Sequence, residues 1–148
     1  MNKEMVYKAL LELVSSNLSE LLTTIEKVQE SVEGEEKSTA GDKYETARAM
    51  AQNELTQLNR QLAQTKQNLS VLQRIQPGTV HQECQMGSLI KTATKNLYLT
   101  VGIGKFEAEG ANYIAISPVS PIGQVLLGKK KGDSIKIGPT EEHILEIT

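Results

Sequence analysis

Apolar residues in the first part of the chain recur at alternating intervals of three and four. The positions that follow this interval are Leu11, Val14, Leu18, Leu21, Ile25, Val28 and Val32. A strict alternation of this kind is typical of the buried seam of a coiled coil. Neither Gly nor Pro occurs before Gly34, so the pattern predicts one uninterrupted amphipathic helix.

A second apolar stripe follows after a short polar segment. Its members are Ala51, Leu55, Leu58, Leu62, Leu69 and Leu72, with Thr65 at the remaining seam position. The segment "GEEKSTAGD" between the stripes is expected to be a loop. Two long stripes joined by one short loop predict an antiparallel helical hairpin over residues 1–76, with its tip at about 34–45. With about 30 residues per helix, such an arm would be roughly 45 Å long.

The period changes to two after "IQPGTV", where Pro77 and Gly78 end the helical pattern. The segments "LYLTVGI", "KFEAEG", "NYIAIS", "DSIKIG" and "HILEIT" are typical of short strands separated by turns. One helix interrupts them in "SPVSPIGQVLLGKKKGD". Ser120 suits its N-cap, Pro121 its first turn, and Gly128 the position just past its end. Residues 77–148 are therefore expected to form a small antiparallel sheet with one helix, and the chain as a whole an α+β fold.

Composition narrows the classes of function. The chain has 148 residues, 39% apolar and 3% aromatic, with a net charge of -2. This near-neutral balance argues against a stand-alone nucleic-acid-binding protein. Cys84 is the only cysteine, which excludes an internal disulfide and makes a zinc site improbable. No apolar run is long enough for a membrane span, and the charged start is unlike a signal peptide, so we expect a cytoplasmic protein.

Charge is unevenly distributed along the hairpin. Seven acids occur from position 26 to 45, namely Glu26, Glu30, Glu33, Glu35, Glu36, Asp42 and Glu45. From position 46 to 76 the charged residues are Arg48, Arg60, Lys66, Arg74 and the single acid Glu54. The pattern fits either solvated surfaces or an acidic tip that attracts cations beside a helix that tolerates nucleic-acid phosphate.

Few residues in the sequence could support catalysis by the chain alone. His81 precedes Cys84 by three positions without a third partner, and His143 falls in a strand pattern, so neither suggests a nucleophilic site. Asp42 and Glu45 are the remaining candidates. Their spacing suits a helix-capping pair, and it also suits two carboxylates that help to bind a metal. Two carboxylates cannot fill the coordination shell of Mg²⁺, so the second reading requires a partner protein.

Two motifs in this order resemble those of the GreA/GreB family of bacterial transcript cleavage factors. "GDKYETA" at the predicted hairpin tip is similar to the family's G-D-x-x-E-N-A-E-Y. "ISPVSPIGQVLLGKKKGD" is similar to its I-S-x-x-S-P-I-A-x-x-L-I-G-K. The resemblance implies an FKBP-like second domain that docks on bacterial RNA polymerase, and a coiled-coil arm that enters the secondary channel. It also implies a protein that stimulates the polymerase's own nuclease and is not itself an enzyme. The heptad seam can be satisfied within the hairpin, so we expect a monomer.

The resemblance assigns roles to individual residues. Asp42 and Glu45 fall on the tip carboxylates that help to hold Mg²⁺ shared with the polymerase and to position water for hydrolysis of backtracked RNA. Ser120, Pro121 and Ile122 fall on the corner that helps to bind polymerase at the channel rim. These assignments follow from the family's motifs. Our own inference from charge is that Arg48 and Arg60 face the extruded RNA 3′ end.

Departures from the family pattern keep other functions open. Thr46 replaces the usual Asn, and Arg48-Ala49 replaces Glu-Tyr. The acids Glu33, Glu35 and Glu36 also give the predicted loop more negative charge than a minimal cleavage factor needs. A non-cleaving regulator that enters the same channel, as an inhibitor or as a modulator of pausing or initiation, is therefore the main alternative to cleavage stimulation. A prolyl isomerase is also suggested by the FKBP resemblance, but only Tyr98, Phe106 and Tyr113 could supply its aromatic pocket. A purely structural coiled coil would leave the second domain unexplained.

Overall fold

The computed structural model describes the backbone of residues 2–38 and 42–148, and the side chains of residues 2–33 and 45–148. The elements in chain order are α1 (Lys3–Ser38), α2 (Asp42–Gln73), β1 (Leu89–Lys91), β2 (Asn96–Leu99), β3 (Gly104–Ala108), β4 (Ala111–Ile116), α3 (Pro121–Leu126), β5 (Ser134–Ile137), β6 (Thr140–His143) and β7 (Glu146–Ile147). Two long helices followed by a small sheet with one helix confirm the α+β fold.

The chain divides into two compact units. One comprises Met1–Glu12 with Ser70–Thr148, and the other comprises Leu13–Leu69. The domain boundary between residues 76 and 77 that the sequence indicates stays a prediction. The first residues of α1 and the last residues of α2 belong to the unit that contains the strands.

The Leu13–Leu69 unit is an antiparallel helical pair. Leu21 of α1 lines a groove with Leu58 of α2, and Val28 lines the next groove with Ala51. Later residues of α1 therefore lie beside earlier residues of α2, which makes the pair antiparallel. The predicted seam residues of this unit are buried or half-buried, whereas most of the intervening residues are exposed. A two-helix seam without a third layer leaves most of its members partly accessible, whereas Val14 and Ile25 are buried.

One prediction about the helices differs from the structure. "GEEKSTAGD" was expected to be a loop beginning at Gly34, but α1 continues through Gly34 to Ser38. A single Gly within a helix costs only about 1 kcal/mol relative to Ala, which a long helix tolerates. Helix α1 therefore extends further along the chain than the pattern indicates.

The five-stranded sheet has the order β3-β4-β2-β1-β7, and β5 pairs with β6 in a separate two-stranded sheet. All pairs are antiparallel except β2 with β4, which align in parallel with Leu97 opposite Ile114. The expectation of a wholly antiparallel sheet is therefore wrong at this pair. The reason is the position of the β3–β4 hairpin. Its second strand, β4, pairs with β2 and runs in the same direction as β2.

The main core lies between one face of this sheet, α3 and the second sheet. Its buried members are Cys84, Ile90, Leu97, Leu99, Ile116, Leu126, Ile135 and Ile144. Alternation along β2 places Tyr98 on the opposite face from Leu97 and Leu99, and it is also fully buried. Both faces of the central strand are thus covered within this unit. None of the helices in the described part of the chain combines the length and the apolar character needed to cross a bilayer.

Candidate functional site

The predicted tip carboxylates lie in the first turn of α2. The helix begins at Asp42, whose side chain lies outside the described residues, so neither its capping role nor its metal role is tested. Glu45 is exposed. Residues three positions apart on a helix differ by about 60° around its axis, so positions 42 and 45 of the backbone lie toward one face of α2. Glu45 is therefore accessible to a partner at the start of this helix.

The two arginines proposed to face RNA are both exposed on α2. Arg48 is three positions after Glu45 and shares its face. Arg60 lies twelve positions further on, which corresponds to about 18 Å along the axis and about 120° around it. They do not form one continuous basic stripe, and only Arg48 is close to the tip carboxylates along the helix.

The described side chains do not supply a complete metal site. Within residues 2–33 and 45–148, no three His, Cys, Asp or Glu side chains are grouped closely enough to hold a metal ion. Glu45 offers one carboxylate, whereas Mg²⁺ prefers six oxygen ligands. The chain's own described residues therefore do not fit a self-sufficient Mg²⁺ site, and the predicted shared ion depends on ligands from elsewhere.

The predicted polymerase-binding corner is built around the start of α3. Ser120 is its N-cap, as predicted, since its hydroxyl accepts a hydrogen bond from Gly123 N at 3.1 Å and donates one to Ser117 O at 2.7 Å. Pro121 follows in the first turn and is exposed, while Ile122 is half-buried and packs against the core. The Ser120 hydroxyl is thus used within the domain, and Pro121 is the accessible member of the three.

The loop before α3 is held very close to the helix at Gly123. A Cβ atom built on this residue would lie 1.9 Å from Ser117 O and 2.8 Å from Pro118 Cα, both backbone atoms. Only a residue without a side chain permits this approach. The sequence motif therefore contains a packing requirement that its helix-capping signals alone do not reveal.

Sequence reasoning missed the most exposed apolar residue of this corner. Val119 is 80% exposed, and Val125 of α3 and Leu127 just after it are 44% and 45% exposed. The signal was available in "SPVSP", where an apolar residue lies outside any helical or strand period and between two prolines. Exposed apolar side chains beside a rigid loop are typical of a protein-binding surface.

Other candidate groups have structural roles. Cys84 is 1% exposed, and burial, with smaller contributions from Asp133 and Glu83, raises the pKa of its thiol to about 11. His81 does not pair with it, because His81 Nδ1 is 2.8 Å from Ser88 Oγ. His143 ends β6. A protonated, buried thiol of this kind is not an activated nucleophile.

The aromatic residues considered for an isomerase pocket belong to the core. Tyr98, Phe106 and Tyr113 are all buried, and the last two stack with ring centroids 5.6 Å apart. They pack against their own domain and do not provide an open aromatic cleft. This arrangement gives no support to the prolyl isomerase reading, and the FKBP-like character of the domain stays a prediction.

Comparisons with known proteins agree with the motif in the second half. Residues 90–148 match the family model described as "Transcription elongation factor, GreA/GreB, C-term". One solved structure, "Structure of the transcription factor Gfh1", is similar at 18% identity and a TM-score of 0.40, over 95% of this chain and 94% of that one. A comparison with curated protein sequences gives no match. The match covers α3, its capping motif and six of the seven strands, so residues 90–148 of this chain are similar to the C-terminal domain of the GreA/GreB family.

Proposed function

We propose that this protein is a transcription factor that binds RNA polymerase through the secondary channel and stimulates cleavage of backtracked transcripts. The observation that supports the proposal is the match of residues 90–148 to the GreA/GreB C-terminal family model, preceded in the same chain by a long antiparallel helical pair. The exposed corner around Pro121 is the proposed contact with the channel rim. The helical pair is the proposed arm that enters the channel.

The chemical part of the proposal concerns Asp42 and Glu45. Both lie in the first turn of α2, and Glu45 is exposed, so a partner's active centre could receive its carboxylate. In the proposed complex these residues contribute oxygen ligands to Mg²⁺, and the polymerase supplies the others. The bound Mg²⁺ would supply charge stabilisation for phosphodiester hydrolysis. The nuclease centre is the polymerase's own, so the isolated protein is expected not to cleave RNA.

One observation favours a non-cleaving regulator as the second candidate. Arg48 is exposed on the same face of α2 as Glu45, one helical turn away. A cation at this spacing offers Glu45 an intrahelical partner and lowers the negative charge available to Mg²⁺. A factor with such a tip would occupy the channel and alter pausing or initiation without releasing RNA.

The experiment that separates these functions uses the host's own polymerase, stalled and backtracked on a labelled transcript. Wild-type protein is expected to bind the complex and to release short 3′ RNA fragments. Asp42→Ala and Glu45→Ala are expected to lower the release rate by at least about 100-fold while retaining binding. Glu54→Ala, which removes another exposed acid of α2, is the matched control and should leave release unchanged.

The outcomes lead to different conclusions. Binding without RNA release by the wild type would establish the regulator function and refute cleavage stimulation. In that case Arg48→Glu tests whether the positive charge of Arg48 prevents the tip carboxylates from stimulating cleavage. Release of RNA by this variant would identify that charge as the cause of the missing cleavage. Failure of the wild type to bind polymerase would refute both candidates.

A further inference from the structure

A cavity of about 420 Å³ lies where the end of α2 meets the segment leading to β1. It belongs to the Met1–Glu12 and Ser70–Thr148 unit, far along the chain from the tip carboxylates. One side of its lining is apolar and consists of Val71, Ile75 and Met86. Polar groups of the lining come from Arg74, Gln76, Thr79 and His81. Its volume is within the range of about 300–1,000 Å³ typical of small-molecule sites.

The space between two of its walls depends on Gly87. This glycine has a φ of +91°, and a Cβ built on it would lie 3.4 Å from both His81 Cε1 and Ile75 Cγ2. The absence of a side chain therefore keeps the gap between the imidazole and the isoleucine open. Met86, beside it, is 42% exposed, so an apolar side chain borders the cavity without being buried by this unit.

The polar side of the cavity carries positive charge. Arg74 is exposed at the end of the helix, and its Nε donates to Ser70 O at 3.3 Å, which leaves its other guanidinium N–H groups for a ligand. No Asp or Glu is among the lining residues. The carboxylate oxygen Oε1 of Glu4 lies near Gly78, and neither of these residues lines the cavity.

A second cation lies behind the wall. Lys3 is 7% exposed and its Nζ donates to the carbonyl oxygen of Thr79, a lining residue. Burial lowers the pKa of Lys3. Burial and the Lys3 charge also lower the pKa of His81. Lys3 therefore lies close to the cavity, on the far side of Thr79.

His81 supplies a positioned polar group. Its Nδ1 is engaged with Ser88 Oγ at 2.8 Å, and Ser88 is itself buried and accepts a hydrogen bond from Gln85 N. The ring is therefore fixed in orientation, and Nε2 is the nitrogen that stays available to a ligand. Arg74, His81 and the field of Lys3 together favour an oxyanion, and the aliphatic side favours an apolar body.

We propose that this cavity binds a small molecule that carries a carboxylate or phosphate group on an apolar, ring-sized body. Arg74 pairs with the oxyanion, His81 contributes a polar contact, and Val71, Ile75 and Met86 contact the body. The site does not depend on polymerase binding, and it is distinct from the tip and from the α3 corner. Its occupation would be a property of the free protein.

The test is a titration of the full-length protein followed by amide NMR correlation spectra. The probes are naphthoate, naphthyl phosphate, the neutral naphthalenemethanol and inorganic phosphate. We expect the two aromatic anions to shift the amides of residues 74–76, 79, 81 and 86–87, and to bind about tenfold or more tightly than the neutral alcohol. The tighter of the two anions identifies the oxyanion class.

Two variants make the test specific. Arg74→Gln should weaken both aromatic anions about tenfold and leave the alcohol unchanged. Arg60→Gln, which changes an exposed arginine of α2 outside the cavity, should alter the binding of neither the anions nor the alcohol. The proposal is overturned if the anions cause no localised shifts at about 1 mM. It is also overturned if the alcohol binds equally well, if inorganic phosphate binds as tightly as naphthyl phosphate, or if Arg74→Gln binds like the wild type.

Discussion

Glu142 and Thr94 connect the two sheets of the C-terminal segment. Glu142 Oε1 accepts hydrogen bonds from Thr94 N at 3.1 Å and from Thr94 Oγ1 at 2.5 Å, and a third from Thr92 Oγ1 at 3.0 Å. The carboxylate lies on β6, and the threonines lie in the β1–β2 connection. Glu142 is 5% exposed, so the small second sheet is attached to the larger one through a buried, charge-assisted contact.

This contact predicts an acid-dependent contribution to stability. The Thr94 hydrogen bond is the main reason that the pKa of Glu142 is lowered from 4.5, against the opposing effect of burial. A lowered folded-state pKa stabilises the fold above the unfolded value, and that stability is lost as the pH falls through the folded pKa. Glu142→Gln should therefore reduce the free energy of unfolding at neutral pH and flatten its decline below pH 4.5, measured by urea denaturation across pH.

Thr94→Ala should also flatten the acid-dependent decline in the free energy of unfolding, because it removes the main cause of the lowered pKa of Glu142. Glu146→Gln, which removes an exposed carboxylate on β7, is the matched control. If the free energy of unfolding of Glu142→Gln declines at acid pH as steeply as that of the wild type, the prediction is contradicted.

Gly123→Ala is expected to destabilise the domain by about 1–3 kcal/mol or more, because the new methyl group would overlap Ser117 O and the loop would have to move. Gly102→Ala is the control, since its Cβ would meet Ser117 Cβ at an ordinary 3.7 Å. Thermal unfolding of both variants measures the difference. Equal midpoints would show that the loop yields to the methyl group at little cost.

Local signals predicted α3 well because its determinants are adjacent in sequence. Ser120, Pro121 and Gly128 each impose a conformation on their own neighbourhood, and Gly128 adopts the expected positive φ of 81°. The heptad seam was equally clear, since burial in a helical pair follows directly from the period of the apolar residues. These features needed no knowledge of distant contacts.

Features that depend on distant pairing were not predictable in the same way. β1 has only three residues, and β6 has the polar sequence "TEEH", so neither has an apolar alternation. Each becomes a strand through its partner, β1 between β2 and β7, and β6 against β5. The parallel alignment of β2 with β4 likewise depends on where the β3–β4 hairpin docks. The cavity beside His81 combines residues from a helix end and a later loop, which no local motif indicates.

Tyr98→Phe is expected to leave stability unchanged or raise it by up to about 1 kcal/mol. The Tyr98 hydroxyl is buried and has no hydrogen-bond partner in the part of the chain that the structure describes. Its removal relieves the cost of burying an unsatisfied polar group. Tyr7→Phe is the matched comparison, because the Tyr7 hydroxyl donates to Leu72 O at 2.7 Å and its loss should cost about 1 kcal/mol. Urea denaturation of the two variants should show opposite or clearly unequal shifts, and equal losses would refute the assignment.

Val119→Asp is expected to weaken binding of the protein to RNA polymerase about tenfold or more without lowering its own stability. Val119 is 80% exposed, so the substitution disturbs little within the domain, but a carboxylate placed in an apolar contact must lose its hydration when the partner binds. Val80→Asp is the matched control, as Val80 is 65% exposed and lies before β1, outside the α3 corner. Fluorescence anisotropy of labelled protein against polymerase core measures both affinities. If only Val119→Asp loses affinity, the exposed apolar residues beside α3 form the docking surface. Unchanged affinity, or equal losses in both variants, would place the contact elsewhere.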